Sequence, residues 1–183
     1  MPNIFLIGYM GAGKTTIGKQ MAQRLGWQFV DMDLFIENRY HKEISNIFAE
    51  KGEVFFREIE RSVLKEVSQF ENTVIATGGG TPCFFDNMER MNRTGITVYL
   101  KMQVSELVRR LFTCKQERPL IKDKSMEELA QFVTDSLSKR EVWYNRAAII
   151  FPTHAEARAG CLPSSYPVST IVENLIDQIN EKQ

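Results

Sequence analysis

The sequence predicts an α/β fold in which a five-stranded parallel sheet is covered by helices on both faces. Three observations lead there. Five short β-rich runs alternate with segments of helical period. A glycine-rich loop pattern stands between the first run and the first of those segments. Hydrophobic residues make up 43% of the 183 and aromatics 10%, which is enough for a full core. At roughly 150 residues per domain, the length fits a single domain over 1–183 with an appended flap.

Composition also removes whole classes of function. The 23 basic and 23 acidic side chains cancel, so no bulk field draws a polyanion or an anionic bilayer, and neither a nucleic-acid nor a membrane partner is expected. The longest wholly apolar stretches, 4–7 and 147–151, fall far below the ~20 residues that span a bilayer. No basic segment followed by an apolar run of signal-peptide length opens the chain, so export is not expected. Cys83, Cys114 and Cys161 are odd in number and widely spaced. They suit neither a disulfide framework nor a zinc site, and fit a reducing cytoplasm.

The first strand is Ile4-Phe-Leu-Ile7. It runs directly into Gly8-Tyr-Met-Gly-Ala-Gly-Lys14-Thr15, which matches G-x-x-x-x-G-K-[ST], and a helical pattern of Ile17, Met21 and Leu25 follows. Average residue frequencies produce this pattern in a chain of this length about 0.6% of the time, so with strand and helix in place a coincidental glycine turn is set aside. Gly8, Gly11 and Gly13 let the loop curl until backbone N–H groups and the helix N-terminus face phosphates. The expected nucleotide contacts are Gly11, Ala12, Gly13, Lys14, Thr15 and Thr16. Lys14 neutralises the transferring group, and the Thr15 hydroxyl is offered to Mg²⁺. The pattern fixes a nucleoside triphosphate site and names no second substrate.

The second strand, Phe29-Val30, leads into Asp31-Met32-Asp33. Residues two apart on an extended segment point to one side, so both carboxylates meet at the carboxyl end of the sheet, one available to a metal and one to an acceptor hydroxyl. The alternative makes Asp33 only the N-cap of a helix opening at Leu34. A helix over 53–70 is marked by Phe55, Ile59, Val63 and Val67 and carries Arg57 and Glu60 on one face. A solvated charge ladder explains that pair equally well in isolation. After the third strand, Val74-Ile-Ala76, comes Thr77-Gly-Gly-Gly-Thr-Pro82. Three glycines suggest close backbone approach to a ligand, with a flexible turn as the bland alternative.

The fourth strand is Thr97-Val-Tyr-Leu100. Beyond it the long polar stretch 113–124 contains Arg118-Pro119, and its length suits a lid. Ser125-Met-Glu-Glu128 is a capping box ahead of a helix with Leu129, Phe132, Val133 and Leu137, and Arg140 stands near that helix's end. The fifth strand, Ala148-Ile-Ile-Phe151, precedes a second long stretch, 152–167. A closing helix carries Ile171, Val172, Leu175, Ile176 and Ile179.

Taken together, D-x-D at 31–33, F-R-x-x-E at 56–60, G-G-G at 78–80, R-P-L at 118–120 and R-x-x-x-Y-x-x-A at 140–147 resemble the shikimate kinases in kind and in order. The resemblance runs from the first strand to about residue 148. It implies a P-loop NTPase of the nucleoside monophosphate kinase-like form, with a mobile lid at about 113–124 and an acceptor-binding helical region at about 33–61. It implies phosphoryl transfer from ATP to shikimate, giving shikimate 3-phosphate in the biosynthesis of chorismate and the aromatic amino acids. Carried over by position, Thr15 binds one Mg²⁺ directly and Asp31 reaches it through water. Asp33 binds the shikimate hydroxyls and accepts the proton of the attacking one. Arg57 and Arg140 hold the substrate carboxylate, Gly79 and Gly80 give it backbone contacts, and Glu60 orients Arg57. Arg118 reaches the phosphates when the lid closes, so the catalytic set is Lys14, Asp33 and Arg118. A cytoplasmic monomer with ATP and shikimate as its partners is expected.

Two departures stand out. The stretch 152–167, with His154, Arg158 and Cys161, is longer than the family's loop beside adenine, and the lid is about one residue longer, so that either Arg109 or Arg110 flanks the base. Two rivals share the phosphate loop. A nucleoside monophosphate kinase has no reason to combine D-x-D with an arginine pair and a triple glycine, and a regulator without catalysis does not need Asp33, Arg57 and Arg140.

Overall fold

The structure is a computed structural model that describes residues 2–113, 121, 123–153 and 167–182. β1 (Asn3–Ile7) and β3 (Thr73–Ala76) are buried at every residue, as strands covered on both faces must be. β4 (Gly95–Lys101) is buried through residues 97–100, while β2 (Gln28–Asp31) and β5 (Ile149–Pro152) lie at the edges with partial exposure. All neighbours pair in parallel, in the order β2-β3-β1-β4-β5. All five expected strands are present, with ends moved by at most two residues.

That order places the site. From β1 the chain crosses to β2 on one side, and from β3 it crosses to β4 on the other. β1 and β3 are therefore neighbours whose connections part, and a crevice opens between their carboxyl ends. Just past β3, the N–H and hydroxyl of Thr77 both donate to the Leu6 carbonyl, at 3.1 and 3.2 Å, and tie the two strand ends together.

α1 (Lys14–Leu25) starts on the glycine-rich loop. α2 (Met32–Tyr40) begins two residues before the expected opening at Leu34, and its N-cap is Asp31, whose Oδ1 accepts from the N–H groups of Asp33 at 3.1 Å and Leu34 at 3.4 Å. The ladder of β2 ends at Asp31, opposite Ala76, and leaves a short acceptor side chain where the first helical N–H groups need one. The capping role considered for Asp33 thus belongs to Asp31. Strand alternation does not explain the pair either, because Asp33 is already in the first helical turn, yet both carboxylates line the crevice.

α3 (Ile44–Val67) consists of two helical pieces that meet at Gly52, where φ 78° and ψ 174° form a conformation open to glycine. The helix expected over 53–70 is the second piece and stops at Val67, where the Ser68 hydroxyl donates to the Leu64 carbonyl at 2.6 Å. Spacing by four drifts ~40° per step around a 3.6-residue turn. Accordingly Ile59, Val63 and Val67 are buried, Phe55 is 41% exposed, and Phe56 fills the core in its place.

The sequence marks neither α4 (Asn87–Thr94) nor α5 (Val104–Thr113) separately, nor the 3₁₀ turn Thr81–Cys83. α6 (Met126–Tyr144) opens on the expected capping box, in which Ser125 Oγ accepts from the Glu128 N–H at 3.2 Å and Glu128 Oε2 accepts from the Ser125 N–H at 2.8 Å. α7 (Val168–Asn180) buries Ile171, Val172, Leu175 and Ile179. Arg118 with most of the expected lid, and residues 154–166, lie outside the described residues.

Candidate functional site

The glycine-rich loop supplies one wall. Gly8, Gly11 and Gly13 have φ of 142°, 83° and 90°, which a side chain would strain. Lys14 Nζ donates to the carbonyls of Gly8 at 2.8 Å and Tyr9 at 3.0 Å, so the lysine lies over its own loop. Gly11, Gly13, Lys14, Thr15 and Thr16 line a crevice of about 370 Å³. Ala12 is buried beneath them, with its N–H turned to the Tyr9 carbonyl at 3.2 Å.

Thr15 Oγ1 donates to Asp31 Oδ2 at 2.7 Å, while the other oxygen of Asp31 caps α2. A hydroxyl and a carboxylate are hard oxygen donors. Two of them on the phosphate side of a crevice suit Mg²⁺, which takes few protein ligands and completes its shell with phosphate and water.

Asp33 lines the same crevice and keeps solvent access from its open side. The protein packed around it strips hydration from the carboxylate and pushes its pKa up to about 6. Lys14 opposes the rise, and Asp31 and Glu60 add to it.

Among the residues expected to bind the acceptor, Arg57 Nη1 donates to Glu60 Oε2 at 2.8 Å, and its Nε and Nη2 donate to Glu53 Oε1 at 3.2 and 3.0 Å. Its guanidinium also lies 4.1, 5.3 and 5.8 Å from the ring centroids of Phe84, Phe56 and Phe48. Glu60 is 1% exposed, and its second oxygen accepts from the Thr81 hydroxyl at 2.5 Å. A solvated ladder does not bury its charges. This pair is desolvated and hydrogen-bonded, and it fixes the direction of the guanidinium.

Gly78 and Gly80 are explained by space. A Cβ on Gly78 would lie 2.7 Å from Glu60 Oε1 and 2.9 Å from Asp33 Oδ1, and one on Gly80 would lie 2.6 Å from Arg57 Nη1. None of the three glycines has a positive φ, so the backbone conformation of the turn does not by itself require glycine. The close approach expected of a ligand is made here by the protein's own functional side chains.

Arg140 reaches the same turn from α6. A Cβ on Gly79 would lie 3.4 Å from Arg140 Nη1, and the Arg140 guanidinium lies 5.4 Å from the Tyr9 ring centroid. Among the described residues no carboxylate pairs with Arg140, whereas Arg57 has two. The turn 78–80 therefore brings Asp33, Arg57 and Arg140 together from α2, α3 and α6.

Met10, Thr77, Arg110 and Leu111 also line the crevice. Arg110 is held by Glu106 Oε1 at 2.7 Å and faces the Gly11 carbonyl at 3.4 Å, while Arg109 is 65% exposed on the other side of Glu106. Of the two arginines expected near the base, Arg110 lines the crevice and Arg109 does not. The signal for Arg110 in the sequence was only its place beside Arg109, whereas Thr77 stood inside the glycine motif.

A family model described as "Shikimate kinase" matches residues 10–180. A shikimate kinase of Azobacteroides pseudotrichonymphae is 53% identical over 180 residues, covering 98% of this chain and 100% of that protein. The solved shikimate kinase of Bacteroides thetaiotaomicron matches with a TM-score of 0.89 and 46% identity over 98% of each chain. That of Acinetobacter baumannii, solved in complex with shikimate, matches with a TM-score of 0.84 and 33% identity, over 100% of this chain and 95% of that one.

Proposed function

The chain belongs to the shikimate kinase family, and we propose that it transfers the terminal phosphoryl group of ATP to a hydroxyl of shikimate, giving shikimate 3-phosphate for chorismate synthesis. The observation that carries this reading is the convergence of a phosphate loop, one raised-pKa carboxylate and two arginines on a single glycine turn. A small polyhydroxylated acid has matching parts: hydroxyls for Asp33 and a carboxylate for the guanidinium pair.

The roles follow from where the groups stand. Gly11, Ala12, Gly13, Lys14, Thr15 and Thr16 receive the nucleotide phosphates, with Lys14 stabilising charge on the transferring group. Asp33, titrating near neutral pH, accepts the proton of the attacking hydroxyl as its oxygen bonds to phosphorus and the bridging bond to ADP breaks. Arg57 and Arg140 hold the acceptor's carboxylate, and the backbone of Gly79 and Gly80 completes its floor. Arg140, with no acid beside it among the described residues, gains most from an acidic ligand. Thr15 and Asp31 would hold one Mg²⁺, which supplies charge neutralisation on the phosphates when bound. Arg118 enters through its sequence motif as the phosphate-binding arginine of the lid. The reading includes one kinase domain over 1–183, acting as a monomer in the cytoplasm. No described helix is long and apolar enough to cross a membrane.

Calorimetric titration tests the acceptor site. Arg57→Ala and Arg140→Ala are each expected to weaken shikimate binding by roughly thirty-fold to a thousand-fold, the usual cost of truncating a desolvated charge partner, while ATP binding changes little. Equal losses for both ligands would refute the arginine pair as the carboxylate site.

A further inference from the structure

Tyr144, the last residue of α6, is fully buried, although it ends in a polar group. Its ring packs against Tyr99 of β4 with centroids 5.0 Å apart, and its hydroxyl donates to the Gly79 carbonyl at 2.5 Å. Arg140 lies four residues earlier and so on the same face of the helix. A Cβ at Gly79 would find only ordinary van der Waals distances. Around the position of its missing Cβ stand Arg140 Nη1 at 3.4 Å, the Gly8 carbonyl at 3.5 Å and the Met10 nitrogen at 3.6 Å. The Tyr144 hydrogen bond links the carboxyl end of α6 to the glycine turn, which lies against the phosphate loop.

We propose that Tyr144 is a positioning residue for acceptor binding, its hydroxyl locking Gly79 and α6 in the relation that aims Arg140 at the acceptor's carboxylate. The proposal rests on the acceptor reading above and adds to it a residue that touches no substrate. Packing alone gives Tyr144 a different role, because the ring fills the core between α6 and β4 with or without its oxygen. The hydroxyl is what distinguishes the two. Burial holds the phenol far above its ordinary pKa, more than Arg140 lowers it, so the group remains a donor at any working pH.

Tyr144→Phe keeps the ring and removes only the donor. Calorimetric titrations of wild type, Tyr144→Phe, Arg140→Ala and the double variant form a cycle that isolates the coupling. Tyr144→Phe is expected to lose about tenfold in shikimate affinity, the scale of one buried hydrogen bond, with ATP affinity changed less than about twofold. In the Arg140→Ala background the same change is expected to cost little, because the group it aims is gone. Unchanged shikimate affinity in Tyr144→Phe, equal losses for both ligands, or fully additive losses in the double variant would each overturn the proposal. If Tyr144→Phe is recovered unfolded, Tyr144→Met, which also lacks the hydroxyl but fills the space flexibly, goes through the same cycle against the same criteria. A wild-type protein that binds no shikimate refutes the acceptor reading itself, a failure visible before any variant is compared.

Discussion

Asp33 meets two opposed requirements in one carboxylate. The proposed proton transfer needs it ionised and able to take a proton near neutral pH, whereas the packed crevice favours the neutral form and lifts its pKa from an ordinary 3.8 to about 6. The sign of the stability effect follows. Below about pH 4 folded and unfolded chains both keep the proton, and Asp33 costs nothing. Above about pH 6 both have lost it, and only the folded state holds the charge in the crevice beside Asp31 and Glu60. Asp33→Asn should therefore raise the melting temperature of the ligand-free protein above about pH 6 and leave it unchanged near pH 4, measured by calorimetry at both ends. The same variant should lose roughly a hundred-fold or more in turnover, because an amide cannot accept the proton. In the wild type, kcat/KM should fall as pH drops through about 6. Near-native turnover in Asp33→Asn would reduce Asp33 to a binding group.

At the scale of elements, the glycine turn 78–80 is the keystone, and it acts by what it leaves out. Gly80→Ala places a methyl 2.6 Å from an Arg57 guanidinium already fixed by Glu53, Glu60 and three rings, so the arginine cannot yield cheaply. The expected result is a shikimate KM raised tenfold or more with the ATP KM nearly constant. Gly78→Ala intrudes on Asp33 and Glu60 instead and should lower kcat as well. Steady-state kinetics with each substrate varied separate the two outcomes. Three adjacent glycines were visible in the sequence, but the reason for Gly78 and Gly80 was not, since the side chains that crowd them come from α2 and α3. The same limit hid the true cap of α2. Asp31 and Asp33 are equally good capping residues by type, and the choice between them is made where the β2 ladder ends against Ala76, a tertiary fact. By contrast, the Ser125 capping box and the five strands depend on local pattern, and those were legible. α4 and α5 escaped notice because they are short and follow no cap signal of comparable strength.

Across the whole molecule, function follows from strand order. Placing β1 beside β3, with their connections leaving to opposite sides, opens the crevice where the phosphate loop faces the glycine turn. In the proposed function α1 and α5 serve the nucleotide, and α2, α3 and the end of α6 serve the acceptor. The sequence revealed both halves as motifs, yet only the fold shows that Arg57 and Arg140, 83 positions apart in number, flank the same three residues. The central claim is that these halves form one enzyme in which phosphoryl transfer awaits an acidic polyol. Coupled ADP release, followed with ATP and Mg²⁺ in the presence and absence of shikimate, tests it most directly. The expected result is rapid ADP release only with shikimate, matched mole for mole by shikimate 3-phosphate and abolished by chelating the metal. ADP release at the same rate without shikimate, or release stimulated by a nucleoside monophosphate and not by shikimate, would contradict the account.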